Sequence, residues 1–122
     1  MIRRDIGKFG EDFTCEFLEE KRYRILKRNY RKPWGEIDII AQTLRGTLVF
    51  VEVKAMRQGN LLPEDHLTGT KLCRVQRTAG LLANGEYSEE SKRGWRIDLV
   101  AVVIGRDGEI FRATHYENIG RG

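Results

Sequence analysis

Three ionisable side chains sit inside two apolar segments where such groups are costly unless paired or metal-bound: Asp38 in Glu36-Ile37-Asp38-Ile39-Ile40, and Glu52 and Lys54 in Val49-Phe50-Val51-Glu52-Val53-Lys54. If the chain turns near Arg45, antiparallel pairing sets Asp38 opposite Glu52 and Glu36 opposite Lys54, with all four side chains on one face. A slip of two residues preserves that face and an odd slip destroys it. Two carboxylates so placed repel, and a divalent cation between them stabilises both. Oxygen ligands suit Mg²⁺ or Mn²⁺, which retain waters and bind substrate phosphate. A lysine beside such an ion can orient or deprotonate the attacking water, or neutralise a phosphate oxygen, which suits phosphodiester hydrolysis. The competing reading is a cross-strand salt-bridge cluster in which Glu52 and Lys54 neutralise each other.

The surrounding pattern supplies elements that could hold these residues. Ile6, Phe9, Phe13 and Phe17 recur at helical spacing, which predicts a helix over Arg4 to Lys21 with that stripe on the core. Gly7 and Gly10 weaken it by about 1 kcal/mol each relative to Ala, which points to close packing or approach by a ligand. Tyr23 to Tyr30 reads as a strand, interrupted by Pro33-Trp34 and a turn at Gly35. Glu36 to Thr43 is the next strand, with Ile37, Ile39 and Ala41 facing one way and Glu36, Asp38 and Ile40 the other. Leu44 to Gly46 makes a hairpin turn into a strand over Thr47 to Ala55, whose Leu48-Val49-Phe50-Val51 run suggests burial on both faces.

Met56 to Asp65 is read as a loop, and a helix over Thr70 to Asn84 presents Leu72, Val75, Ala79 and Leu82 on one side. Glu86 to Gly94 is polar and reads as mobile; Trp95 to Ile104 is an apolar strand, and Asp107-Gly108 turns into a last strand around Glu109 to Tyr116. Short links make the first three strands an antiparallel meander, and the second helix can bring the fourth strand parallel to the third. The expected architecture is α/β: a mixed central sheet flanked by helices, in the order helix, three strands, helix, two strands, as one domain over residues 1–122.

Composition sets wider bounds. A chain of 122 residues suits one core, and its 33% charged residues leave little apolar surface to spare. The net charge of +4 is unevenly spread: seven basic and no acidic residues lie between Lys21 and Lys32, and Lys71, Arg74 and Arg77 fall in an acid-free stretch from His66 to Asn84. Two such segments could frame one groove for a polyanion, with solvated faces as the alternative. Cys15 and Cys73 have no metal-type spacing and read as free thiols of a reducing compartment. The N-terminus lacks the apolar core of a signal peptide and no apolar run reaches spanning length, so the expectation is a cytoplasmic protein with no membrane partner.

Asp in one strand followed by Glu-x-Lys in the next looks like the PD-(D/E)xK nuclease motif. Gly7-Lys8-Phe9-Gly10-Glu11, Tyr23-Arg24-Ile25-Leu26 with Asn29, Gly35 to Ile40, Val49 to Lys54, Lys71 and Arg96-Ile97-Asp98 together resemble the YraN-like family of bacterial proteins over roughly Gly7 to Val103. Thr14, Met56 and Leu72 depart from that pattern, away from the proposed ligands. The family is similar to archaeal Holliday-junction resolvases and is regarded as predicted endonuclease. The resemblance implies a restriction-endonuclease-like fold and a Mg²⁺ (or Mn²⁺) site. Asp38, Glu52 and the Val53 carbonyl would be its metal ligands, Lys54 the catalytic lysine, and Glu11 a carboxylate of the first helix leaning over the site.

The expected function is metal-dependent cleavage of DNA, branched or otherwise structured, and the alternative is a non-catalytic DNA-binding module of the same fold. Arg28, Asn29, Arg31 and Lys71 are the candidate nucleic-acid contacts, and a homodimer through an exposed strand edge is a further expectation. Asp98 beside Arg96 reads as a structural salt bridge, while His66 and His115 show no partner spacing. Trp34 and Tyr30 flank the basic run, where they could stack on bases or pack at the rim.

Overall fold

The computed structural model describes residues 5–59 and 69–120. Its elements are α1 (Ile6–Glu20), β1 (Arg24–Lys32), β2 (Gly35–Gln42), β3 (Leu48–Arg57), α2 (Gly69–Ala83), β4 (Trp95–Ile104) and β5 (Ile110–Gly120). Arg4, His66 and most of the segment between β3 and α2 lie outside the described residues.

The five strands form one sheet in the order β1-β2-β3-β4-β5. β1, β2 and β3 pair antiparallel, β4 lies parallel to β3, and β5 returns antiparallel to β4. Two-residue and five-residue links cannot cross a sheet, which is why the first three strands are a meander; only the β3–α2–β4 connection is long enough to make strands parallel. The element order and strand pairing are those expected from the sequence, and the mixed five-stranded sheet with its two helices is consistent with the restriction-endonuclease-like fold.

The two helices cover opposite faces. Leu18, Cys15, Ile39, Ala41, Val49, Val51, Val100 and Val102 form one core layer, with the α1 phenylalanines Phe9, Phe13 and Phe17 packed against it. Tyr30, Ile40, Leu48, Phe50 and Ile97 form the other with Val75, Ala79 and Leu82 of α2.

The predicted phenylalanine stripe of α1 is corrected in one respect: its buried line is Gly10, Thr14 and Leu18, and the phenylalanines flank it. The reason is close approach. A Cβ on Gly10 would stand 2.7 Å from that of Ala55, so α1 packs its backbone onto β3 beside Lys54. The Thr14 hydroxyl, fully buried there, bonds back to the Gly10 carbonyl at 2.7 Å. Asp5 caps the helix by accepting from the Lys8 N–H.

Two further expectations change. The 86–94 segment is not loose: its turns are closed by backbone bonds such as Tyr87 N–H to Leu82 C=O at 2.7 Å, and the Ser91 hydroxyl bonds the Ala83 carbonyl at 2.7 Å. Strict alternation also fails in β2, since Ile39 and Ala41 join the α1 layer while Ile37 joins Ile40 in the α2 layer. The break falls at Asp38. There β2 leaves β3, and Asn29 of β1, which lies between the pairs Arg28↔Ile39 and Tyr30↔Ile37, takes a left-handed φ of 52°.

Candidate metal centre

The ladder between β2 and β3 runs from Gln42↔Leu48 to Ile39↔Val51 and stops. Asp38 and Glu52 are the next pair in that register, as the hairpin argument required. Beyond the last backbone pair the carboxylates take over the bonding. The Val53 N–H donates to Asp38 Oδ2 at 2.8 Å, and the Asp38 N–H reaches Glu52 Oε2 at 3.4 Å. Each acid is thereby held by the other's strand. In an extended strand the carbonyl of Val53 leaves on the same side as its N–H, so it too points into the opening between β2 and β3.

Glu52 is 5% exposed and Asp38 is half-buried. Burial, then the charge of Asp38, push Glu52 up to about 8. Burial also raises Asp38, against the Val53 N–H and the Lys71 charge that pull it down. Burial outweighs the nearby charges of Lys71 and Lys54 at both acids. Among the described residues no group of three or more Asp, Glu, His or Cys side chains gathers for a metal. The set that Asp38, Glu52 and the Val53 carbonyl would offer is all oxygen and small. It fits Mg²⁺ or Mn²⁺, which fill their remaining positions with water, and does not fit a metal that needs nitrogen or sulfur ligands.

Lys54 follows on β3, half-buried, two residues beyond Glu52. Burial and the nearby charge of Lys71 lower its pKa, opposed by Asp38 and Glu52. Glu36 is expected from the sequence to pair with Lys54 or with a nearby Arg, and it is the arginine that it meets: β2 and β3 part at Asp38, and Glu36 faces Arg31 across β1 and β2 at 3.5 Å.

Lys71, expected as a nucleic-acid contact, stands inside the acid site, with Nζ 3.9 Å from Glu52 Oε1. It projects from the first turn of α2, and the packing of α2 on this face of the sheet brings it there. No sequence spacing signals that proximity, because Lys71 and Glu52 are separated by a segment of arbitrary length. The acids, Lys71, Arg74, Arg77 and Trp34 line a cleft of about 510 Å³ between the β1–β2 hairpin and α2.

A second cleft of about 510 Å³ lies on the α1 side, lined by Gly7, Lys8, Glu11, Arg28, Asn29 and Arg31. Glu11 is in this cleft and not in the first. Burial and then the charge of Asp38 raise its pKa, while Arg28, Arg31 and a hydrogen bond from Asn29 pull it down, so it senses the acid site from a neighbouring hollow. Arg28 is ion-paired with Asp12 of α1. The basic run does not present one continuous surface: Lys21 lies 2.9 Å from His115 Nδ1 of β5, and Arg24 bonds Gln42 at 2.7 Å.

The α1 face of the sheet also holds a second buried carboxylate, Asp98, in register with Val51 of β3. Arg96 Nε donates to its Oδ1 at 2.9 Å, His115 Nε2 lies 2.8 Å from Oδ2, and the Asn118 N–H donates to Oδ1 at 2.9 Å. Arg96 also reaches the Tyr23 hydroxyl at 2.8 Å. Lysine can only donate, so Lys21 on Nδ1 leaves Nε2 as the nitrogen that donates to Asp98. Sequence spacing offered His115 no partner. The antiparallel β4–β5 pairing, which sets Val100 beside His115, supplies it.

Residues 10–102 match the uncharacterised protein family UPF0102. Among curated relatives, UPF0102 proteins from Dictyoglomus thermophilum and Pelotomaculum thermopropionicum are 37% and 38% identical, covering 90% and 95% of this chain and 92% and 95% of theirs. A solved structure of Pyrococcus furiosus SfsA in complex with Ca²⁺ is similar with a TM-score of 0.39 and 18% identity, over 95% of this chain and 63% of that one.

Proposed function

We propose that this chain, which belongs to the uncharacterised protein family UPF0102 as its YraN-like motifs implied, is a metal-dependent endonuclease hydrolysing phosphodiester bonds in DNA. The observation that supports this reading is the meeting of Asp38 and Glu52 where the β2–β3 ladder ends. Asp38, Glu52 and the Val53 carbonyl would hold Mg²⁺ or Mn²⁺. When bound, the ion supplies Lewis-acid polarisation of a phosphoryl oxygen and a more acidic water.

The protein's own side chains do the rest. Asp38 and Glu52 stay fixed by the backbone N–H groups that bind them. Lys54 holds the attacking water in line or neutralises the phosphate oxygen that gains charge. Lys71 and the arginines of α2 hold the DNA backbone over the cleft, and Arg31 and Asn29 extend the contact toward the α1 side. Glu11 is a positioning residue for this second cleft.

One contact favours a second reading. Lys71 lies 3.9 Å from Glu52 and can serve as its resident counter-ion, in which case the cleft binds DNA without cutting it. A cleavage screen decides, using duplex, single-stranded, flap and four-way-junction DNA with Mg²⁺ and with Mn²⁺, run beside calorimetry of metal binding. The nuclease reading expects cleavage of at least one substrate, lost in Asp38→Asn, Glu52→Gln and Lys54→Ala, with metal binding retained only in Lys54→Ala. DNA binding with no metal uptake and no cleavage on any substrate establishes the binding module.

A further inference from the structure

Of the two aromatic residues that flank the basic run, the fold buries one and displays the other. Tyr30 is 3% exposed, in the α2-side core, with its hydroxyl bonded to Glu86 at 3.2 Å. Trp34 is 48% exposed at the tip of the β1–β2 hairpin and lines the same cleft as Asp38 and Glu52. The tip is held firmly. Pro33 restricts the backbone before it, and Trp34 packs one side of its indole near the Tyr30 ring at 5.8 Å. Behind it, a Cβ on Gly35 would stand only 2.1 Å from Thr78 Oγ1, so the hairpin backbone is seated directly on α2. An exposed indole is seldom held this way for packing alone.

Its surroundings indicate what it meets. Lys71, Arg74 and Arg77 share the cleft, on successive turns of α2. A flat aromatic surface amid fixed cations is the combination that binds single-stranded nucleic acid, with phosphates on the cations and a base stacked on the ring. A base inside an intact duplex has both faces covered by its neighbours and cannot use such a platform.

We infer that Trp34 is a stacking platform for an unpaired base, so that the cleft selects DNA with a single-stranded or frayed nucleotide beside the phosphate held at the carboxylates. The inference rests on the nuclease reading for the role of that phosphate, but its test does not require cleavage. Fluorescence anisotropy in EDTA compares a labelled oligothymidylate with a blunt duplex of equal length, for the parent chain and for Trp34→Phe, Trp34→Leu and Trp34→Ala. Leu keeps apolar bulk against Tyr30 without a π face, and Phe keeps the π face.

Trp34→Leu and Trp34→Ala should weaken oligothymidylate binding by about tenfold or more. Trp34→Phe should stay near the parent, and duplex affinity should change less than about twofold in all three. Stacking should also quench the intrinsic fluorescence of the parent on oligothymidylate, and that quenching should be absent from Trp34→Phe, which retains only Trp95. Equal losses on both DNAs would overturn the inference, as would parent-like oligothymidylate affinity in Trp34→Leu. Cleavage that persists while Trp34→Leu binds normally removes the stacking platform alone. Normal stacking with no cleavage under any metal removes the nuclease reading alone.

Discussion

Two acid groups occupy opposite faces of the same sheet and have opposite electrostatic fates. On the α1 face Asp98 is fully buried, and burial by itself would raise its pKa. Hydrogen bonds from His115, Arg96 and the Asn118 N–H outweigh that and hold its carboxyl below the usual range. On the α2 face Asp38 and Glu52 receive one backbone N–H each and the more distant charges of Lys71 and Lys54, and burial lifts both above the usual range. Both groups break the rule that charges stay out of apolar strands, but only at Asp98 do hydrogen bonds within the fold outweigh burial. A buried charge with its partners supplied by the fold is structural. A buried pair whose pKa values burial raises is what the proposed metal would neutralise.

The largest expected effect is on stability. Replacing Asp98 by Ala leaves buried His115 without its acceptor and half-buried Arg96 with only Glu117 and the Tyr23 hydroxyl, and should cost about 3–5 kcal/mol, whereas Glu52→Gln should leave stability unchanged or higher. Urea denaturation of the two variants measures both. Equal losses would mean that the two acid groups are the same kind of structural cluster.

Next in size is the response to metal. Mg²⁺ at about one hundred times its dissociation constant should stabilise the parent by about 2.7 kcal/mol, read as a rise in melting temperature. The rise should vanish in Asp38→Asn and Glu52→Gln and persist in a variant of the surface acid Glu89, which pairs with Lys92 far from the cleft. A parent chain indifferent to Mg²⁺ and Mn²⁺ would erase the distinction between the two acid groups.

A smaller effect follows from pH. The folded pKa of Asp98 is depressed, so its contribution to stability is present above its unfolded value near 3.8 and is lost as pH falls through the folded value. Each unit of depression corresponds to about 1.4 kcal/mol. Acid titration of folding free energy should therefore show a downward limb below about pH 4, flattened in Asp98→Asn. A limb of the same slope in both proteins would assign it to other acids.

The smallest expected change is in Lys54→Ala. Among the described ion pairs of Glu52 the partner is Lys71 at 3.9 Å and not Lys54, so the loss of Lys54 should alter stability by less than about 1 kcal/mol while abolishing cleavage. A melting loss as large as that of Asp98→Ala would restore the cross-strand salt bridge as the explanation of Glu-x-Lys.

Much of this was legible in the chain itself. The positions of Asp38 and Glu52 followed from apolar alternation and the turn near Arg45, because antiparallel register depends on local spacing, and the ladder ends one pair short of them. The strand over Trp95 to Ile104 and the parallel return after the second helix also followed from sequence, since chain connectivity limits which strands can be parallel. What only the tertiary structure decided involves distance across the fold. Lys71 reaches Glu52 because α2 docks on the face that carries the acids, Glu11 lines a neighbouring cleft within electrostatic reach of Asp38, and His115 finds Asp98 through the β4–β5 ladder. Tyr30 and Trp34, alike in sequence as aromatics beside basic residues, part company because one side of the hairpin meets α2 and the other meets solvent. Local spacing sets which side chains share a strand face, whereas the docking of helices and the twist of the sheet set which of those faces meet, and no local pattern encodes that.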